Sequence, residues 1–245
     1  MILITSQPEQ AMITIIPSKD RYHADHGWLE TRWHFSFADY HDPANMNWSA
    51  LRVFNDDVVK GGGGFDFHPH RDMEIISYVI EGALEHRDRL GNRHVNHAGG
   101  VQVMSAGRGI VHAEHNPSPV EPMRLNQIWV LPRHKGLEPR WEQKPYTYQD
   151  RHNRLLPVVA PTDAPLPEAL TIDQDATIYI SSLDAESEVT HVSRPGRHAY
   201  LFVIDGAVEL NGRRLSSGDQ ARLADERRLT IQARERSELI LLDLP

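Results

Sequence analysis

Apolar residues along this 245-residue chain come in short runs, separated by glycine, proline and small polar clusters. Ser77-Tyr-Val-Ile, Val101-Gln-Val-Met and Gln127-Ile-Trp-Val-Leu each read as a strand, as do Thr177-Ile-Tyr-Ile, Tyr200-Leu-Phe-Val-Ile and Leu239-Ile-Leu-Leu in the second half. No long segment carries clean helical periodicity. Short strands and frequent turns at this spacing predict an all-β fold of barrels or sandwiches.

The chain also repeats itself. Val79-Ile-Glu-Gly-Ala-Leu-Glu returns as Val203-Ile-Asp-Gly-Ala-Val-Glu, and Ala98-Gly-Gly-Val-Gln-Val has a looser echo in Ser217-Gly-Asp-Gln-Ala-Arg. Each copy is a strand, a glycine-centred turn and another strand, which predicts two copies of one barrel. The expected division is an N-terminal metal-binding barrel over 1–141, a linker over 142–167 and a C-terminal barrel over 168–245. The linker is placed on Pro145, Pro157, Pro161, Pro165 and Pro167. Residues 1–11 read as an extension or an alternative start, because Met12-Ile-Thr-Ile-Ile opens the first strand.

Composition narrows the function classes. A net charge of -8 with no basic run argues against direct nucleic-acid contact and against an anionic lipid surface. No stretch approaches the roughly 18 apolar residues of a membrane span, and the N-terminus does not read as a signal peptide; a cytoplasmic protein is expected. The absence of cysteine excludes thiolate ligands and a cysteine nucleophile. Histidine stands out instead: of 15, seven fall between His68 and His115.

That cluster has strand spacing. His68 and His70 lie two apart, so on a strand both imidazoles face one side. His112 and Glu114 repeat the arrangement, whereas His115 has the opposite parity and points away. Two strands each supplying two inward groups make a four-ligand pocket of three neutral nitrogens and one carboxylate, suited to Fe(II), Mn(II), Ni(II), Co(II) or Zn(II). Gln127, on one strand with Trp129, is a candidate polar group behind the ligands. Trp129 itself reads first as core packing.

The same residues carry a family resemblance. Gly62-x5-His68-x-His70-x3-Glu74 followed by Gly82 resembles the first cupin motif, and Gly109-x2-His112-x3-Asn116 the second. More closely, His68-Pro-His-Arg-Asp-Met-Glu, Met104-Ser-Ala-Gly-Arg-Gly-Ile-Val-His-Ala-Glu and Gln127-Ile-Trp-Val resemble the pirin family of bicupins, as do His26-Gly-Trp-Leu-Glu, Thr31-Arg-Trp-His-Phe-Ser-Phe and Ser49-Ala-Leu-Arg-Val. The resemblance implies two stacked cupin barrels and one iron held by His68, His70, His112 and Glu114, with Ni, Mn, Co, Cu or Zn as alternatives. It also implies quercetin 2,3-dioxygenase activity on a flavonol-like aromatic with O2, Glu114 being both ligand and catalytic base. Other members imply a different role, an iron-binding, redox-responsive regulator acting through a protein partner.

Glu74 competes with Glu114, since many cupins keep a carboxylate ligand at that place. On an unbroken strand Glu74 has inward parity, but at roughly 3.3 Å per residue it sits about 13 Å beyond His70, against about 7 Å from His112 to Glu114. The expectation is that Glu114 is the ligand. In the second half the repeat offset carries His68 to Val192, His70 to Arg194 and Glu74 to His198, so the second barrel is expected to be metal-free. A small-ligand or partner site built on Arg194, Arg197 and His198 is the runner-up there.

Overall fold

A computed structural model of the chain describes residues 12–245. The expected extension over 1–11 lies outside the described residues. The fold is almost wholly β, in four sheets that form two barrels, each pairing a seven-stranded with a four-stranded sheet.

In the first barrel the large sheet runs Arg140–Pro145, Gly100–Ser105, Glu74–Glu81, Met123–Val130, Leu51–Val59, Leu29–Trp33, Tyr22–Asp25. Its small sheet runs Gly64–His70, Ile110–His115, Ala83–Asp88, Arg93–His97. In the second barrel the large sheet runs Met12–Ile16, Gln220–Ala224, His198–Asp205, Ser237–Leu244, Thr177–Leu183, Leu156–Pro161, Leu170–Ile172. The small sheet there runs Glu188–Val192, Arg228–Ala233, Ala207–Leu210, Arg213–Ser216.

The repeat read in the sequence is the same hairpin in both barrels. Gly82 and Gly206 turn it with φ of 73° and 85°, and a Cβ at either would meet a carbonyl oxygen, of Pro122 at 2.9 Å or Arg236 at 2.4 Å. Only glycine satisfies both demands.

The two large sheets pack face to face. Strand parity divides each of them: on Glu74–Glu81, Ile76 and Tyr78 face the other barrel while Val79 turns into its own. The shared core joins Phe35, Phe54 and Ile128 of the first barrel to Ile178, Tyr200, Phe202 and Ile240 of the second. Stacking sheets this way removes both apolar faces from water, which one sheet alone could not do.

Two expected boundaries are corrected. Met12–Ile16, assigned to the N-terminal barrel, pairs antiparallel with Gln220–Ala224 as an edge strand of the second barrel. The segment 142–167 is mostly structured rather than a linker. It completes the strand Arg140–Pro145, forms one helical turn at Tyr148–Arg151 capped by Thr147, and enters the second barrel as Leu156–Pro161. Its prolines misled because they are tolerated in strands at ends and irregularities. Pro145 and Pro161 are terminal strand residues, and Pro157 sits at a register shift.

The second barrel is filled. Leu201, Leu210, Leu229, Ile231 and Leu241 pack its interior, all fully buried. The residues that the repeat offset placed at ligand positions do not face inward as a set: Val192 is 64% exposed. The runner-up site on Arg194, Arg197 and His198 is internally neutralised. Arg194 and Arg197 bind Asp175, Arg197 also binds Asp243 at 2.6 Å, and His198 meets the Pro245 carbonyl. Its cations are spent on the fold.

Candidate metal centre and aromatic cavity

The strand Gly64–His70 carries the first two histidines, and its register explains how they meet the third. His112 lies opposite His68 and Ile110 opposite His70, but Glu114 lies opposite Phe65. A bulge therefore interrupts the ladder between His112 and Glu114. The extra residue falls on the His68 strand, so Phe65 and His68 both face the cavity although they are three positions apart. Asp66 and Phe67 are pushed out to solvent. At the bulge the Asp66 carbonyl lies 2.7 Å from His68 Nδ1 and accepts its N–H, which turns Nε2 away from this bond.

His68, His70 and His112 come together as the sequence predicts. Their nitrogens lie within 4.8 Å of one another, and their rings are 4.5 to 4.9 Å apart. Burial lowers the His112 pKa to about 3 and the His70 pKa to about 4, reinforced by the neighbouring imidazoles. These rings are neutral at physiological pH, the form that ligates a metal. His112 Nε2 is buried without a hydrogen-bond partner among the described residues. An orphaned nitrogen beside two further imidazoles fits a bound divalent cation.

Glu114 sits deeper, 2% exposed, grouped with His112 and with a residue the sequence reading missed, His86. Its carboxylate is held on both oxygens: Gln102 donates to Oε1 at 2.5 Å and Gln127 to Oε2 at 2.8 Å, with Ser77 near Oε1 at 3.4 Å. Gln127 is thus the polar support expected of it, and Trp129 donates to its carbonyl at 3.1 Å. Trp129 is more than core packing. It stands edge-on to His70 at 4.9 Å and walls the cavity. His115 points away, 3.3 Å from Asp66.

Glu74 is on the other side of the sheet. The chain bends after His70, where Asp72 takes a left-handed φ of 48°, so strand parity does not carry from His68 to Glu74. Glu74 shares a face with Ile76 and Tyr78 and accepts from Ser105 at 2.5 Å. Burial raises its pKa against the opposing Ser105 hydrogen bond and the charge of Arg140.

The histidines open onto a cavity of about 330 Å³ walled by Trp28, Trp33, Phe37, Phe65 and Trp129. That volume lies at the lower end of small-molecule sites. One further carboxylate lines it. Asp57 is fully buried and its hydrogen-bond partner is the Thr31 hydroxyl. Burial pushes its pKa up to about 7, helped by the nearby charges of Asp56 and Glu114. A group with a raised pKa in the folded state adds stability below its unfolded value and loses it as pH climbs through the folded one. Asp57→Asn is therefore expected to leave stability nearly unchanged at pH 4 and to increase it above pH 7. The ceiling is about 4 kcal/mol, at roughly 1.4 kcal/mol per pKa unit. Urea melts at the two pH values check this, and an equal effect at both would refute it.

The chain resembles known proteins along nearly its whole length. Residues 17–130 match the Pirin family, and residues 158–244 match the family described as Quercetinase C-terminal cupin domain. Quercetin 2,3-dioxygenase of Escherichia coli (strain K12) is 42% identical over 96% of this chain and 99% of its own. A pirin-like protein of Caulobacter vibrioides is 47% identical over 90% of this chain and 94% of its own. The crystal structure of the bacterial pirin YhhW from Escherichia coli in complex with nickel(II) superposes with a TM-score of 0.89 at 41% identity, over 96% of this chain and 99% of that one. With the bicupin fold, the histidine cluster and these relatives in agreement, the chain belongs to the pirin family.

Proposed function

We propose that this protein is a mononuclear metal dioxygenase that opens a flavonol ring with O2. The observation that carries the reading is the placement of three clustered imidazoles at the inner end of an aromatic-walled cavity. His68, His70, His112 and Glu114 are the residues that would hold the cation. Fe(II) is the proposed metal; Ni, Mn, Co, Cu and Zn remain alternatives because these donors accept them all. The relatives named quercetin 2,3-dioxygenase and the nickel complex of the bacterial pirin support the reading.

When bound, the metal supplies Lewis acidity that makes a coordinated hydroxyl easier to deprotonate. The chain supplies the rest. Trp28, Trp33 and Trp129 offer flat faces and edges to a polycyclic aromatic and keep bulk water away from it. Glu114 receives the proton of the ligand hydroxyl, its carboxylate aimed by the amides of Gln102 and Gln127. Asp57 on the cavity wall meets a further hydroxyl.

Among the described residues no helix is long and apolar enough to cross a membrane. We take the protein as cytoplasmic, as its sequence predicts. The metal-loaded protein is expected to consume O2 with quercetin and bleach its visible absorbance, and the metal-free protein to do neither. Equal bleaching by both forms, or by neither, would favour the regulatory role instead.

A further inference from the structure

We propose that Asp88 and His86 form a positioning relay that fixes the tautomer of His112, so that Nε2 is the nitrogen His112 turns towards His68 and His70. The inference concerns imidazole protons in the protein alone and does not need the flavonol reading.

The argument starts at the far end of the relay. The Asp88 side chain is fully buried and takes hydrogen bonds on both oxygens. The backbone N–H groups of Leu90 and Asn92 donate to Oδ1 at 2.9 and 3.0 Å, and the Asn92 amide donates to Oδ2 at 2.7 Å. Burial alone would raise the Asp88 pKa, but the bonds from Asn92 and His86 hold it below the ordinary carboxylate range. An ionised carboxylate only accepts. His86 Nε2, 3.1 Å from Oδ2, must therefore carry a proton.

In the relay the Nε2 proton of His86 goes to Asp88 and its Nδ1 accepts. The atom facing it, 3.5 Å away, is His112 Nδ1. That nitrogen donates, and the remaining lone pair of His112 is left on Nε2. The order is Asp88 carboxylate, His86, His112, each N–H pointing back towards Asp88. Nε2 is the same buried nitrogen that has no hydrogen-bond partner among the described residues. His68 likewise donates from Nδ1, there to the Asp66 carbonyl.

Two features hold the relay in place. Strand pairing sets His112 opposite Asp88 and Glu114 opposite His86, so the spacing follows from the backbone ladder. The indole of Trp141 stacks on the His86 ring at 5.0 Å and 18°, and the His94 ring stacks on the same indole at 4.8 Å and 13°. His86 is fully buried beneath them. The relay also resolves an ambiguity: His86, His112 and Glu114 are close enough to form a second metal cluster. With His86 Nδ1 engaged by His112 and Nε2 by Asp88, His86 has no lone pair for a cation. It is a support to the site rather than a ligand, a role that commonly changes metal affinity 10- to 100-fold when removed.

Long-range ¹⁵N–¹H NMR on the metal-free, ¹⁵N-histidine-labelled full chain reads the tautomers directly. The expected result is a proton on Nδ1 of His112 and on Nε2 of His86. A proton on His112 Nε2, or a doubly protonated His86, overturns the proposal. Nickel(II) titration of two variants provides the second readout. His86→Leu, which removes the acceptor, is expected to weaken nickel(II) binding about 10- to 100-fold. His86→Gln, which keeps an acceptor oxygen, is expected to recover most of the loss. Equal losses in the two variants would show that packing at this position matters and the hydrogen bond does not.

Discussion

Glu114→Gln is expected to weaken metal binding about 10- to 100-fold and to lower turnover about 100- to 10,000-fold, the range for loss of a general base. Glu74→Gln is expected to keep one metal per chain and its activity. The two carboxylates are separated by the sheet itself. Glu114 projects inward beside His112, with Gln102 and Gln127 aiming its oxygens, whereas Glu74 projects towards the second barrel and accepts from Ser105. Gln at position 114 keeps the shape and loses the charge, and one of the two amides then faces a donor instead of an acceptor. Gln at position 74 can still accept from Ser105. Elemental analysis and quercetin bleaching measured on both variants decide the matter. Metal loss in Glu74→Gln together with an unaffected Glu114→Gln would assign the site to the other carboxylate.

Phe202→Ala is expected to destabilise both barrels together by about 3 to 5 kcal/mol, the usual range for removing a buried phenylalanine ring. Phe202 belongs to the second barrel, but its ring packs on Phe54 at 5.1 Å and on His34 at 4.9 Å, both in the first. All five tryptophans, Trp28, Trp33, Trp48, Trp129 and Trp141, precede residue 142. Trp48 donates to the Ala199 carbonyl of the second barrel, so in a Trp48→Phe background tryptophan fluorescence reports the first barrel, and circular dichroism reports both. If the barrels unfold as one unit, a substitution in the tryptophan-free barrel moves the fluorescence midpoint in urea as far as the dichroism midpoint. A fluorescence midpoint that stays put would show that the barrels melt independently.

Much of this architecture is legible in the chain because strand physics is local. Alternation exposes the strands, and the hairpin at Gly82 and Gly206 exposes the duplication, since a positive φ against a crowding carbonyl admits glycine alone. The histidine cluster was legible for the same reason: the i, i+2 spacing survives into the fold at His68 and His70. What stayed hidden depends on contacts between distant segments. The bulge that re-aims His68 inserts a residue which the sequence does not mark, and the pairs His68–His70 and His112–Glu114 are consequently not equivalent. Parity failed for Glu74 because the bend at Asp72 resets it. His86 shows the i, i+2 pattern with Asp88, yet only the neighbouring strand reveals that it backs His112. The edge strand Met12–Ile16 could not be assigned to the far barrel from a pattern that is apolar in either setting.

That edge strand has a consequence for how the protein is made. Met12–Ile16 leaves the ribosome early, but the strand it pairs with, Gln220–Ala224, is translated about 200 residues later. At roughly 5 to 20 residues per second the interval is on the order of 10 to 40 seconds. During that time the first barrel can close around its histidines, while the opening strand waits with its hydrogen-bonding groups unpaired, the condition in which edges recruit other chains. The second barrel completes its large sheet by capturing a segment already synthesised. That pairing is thus a ring closure over about 200 residues, and a segment made early is among the later ones to settle.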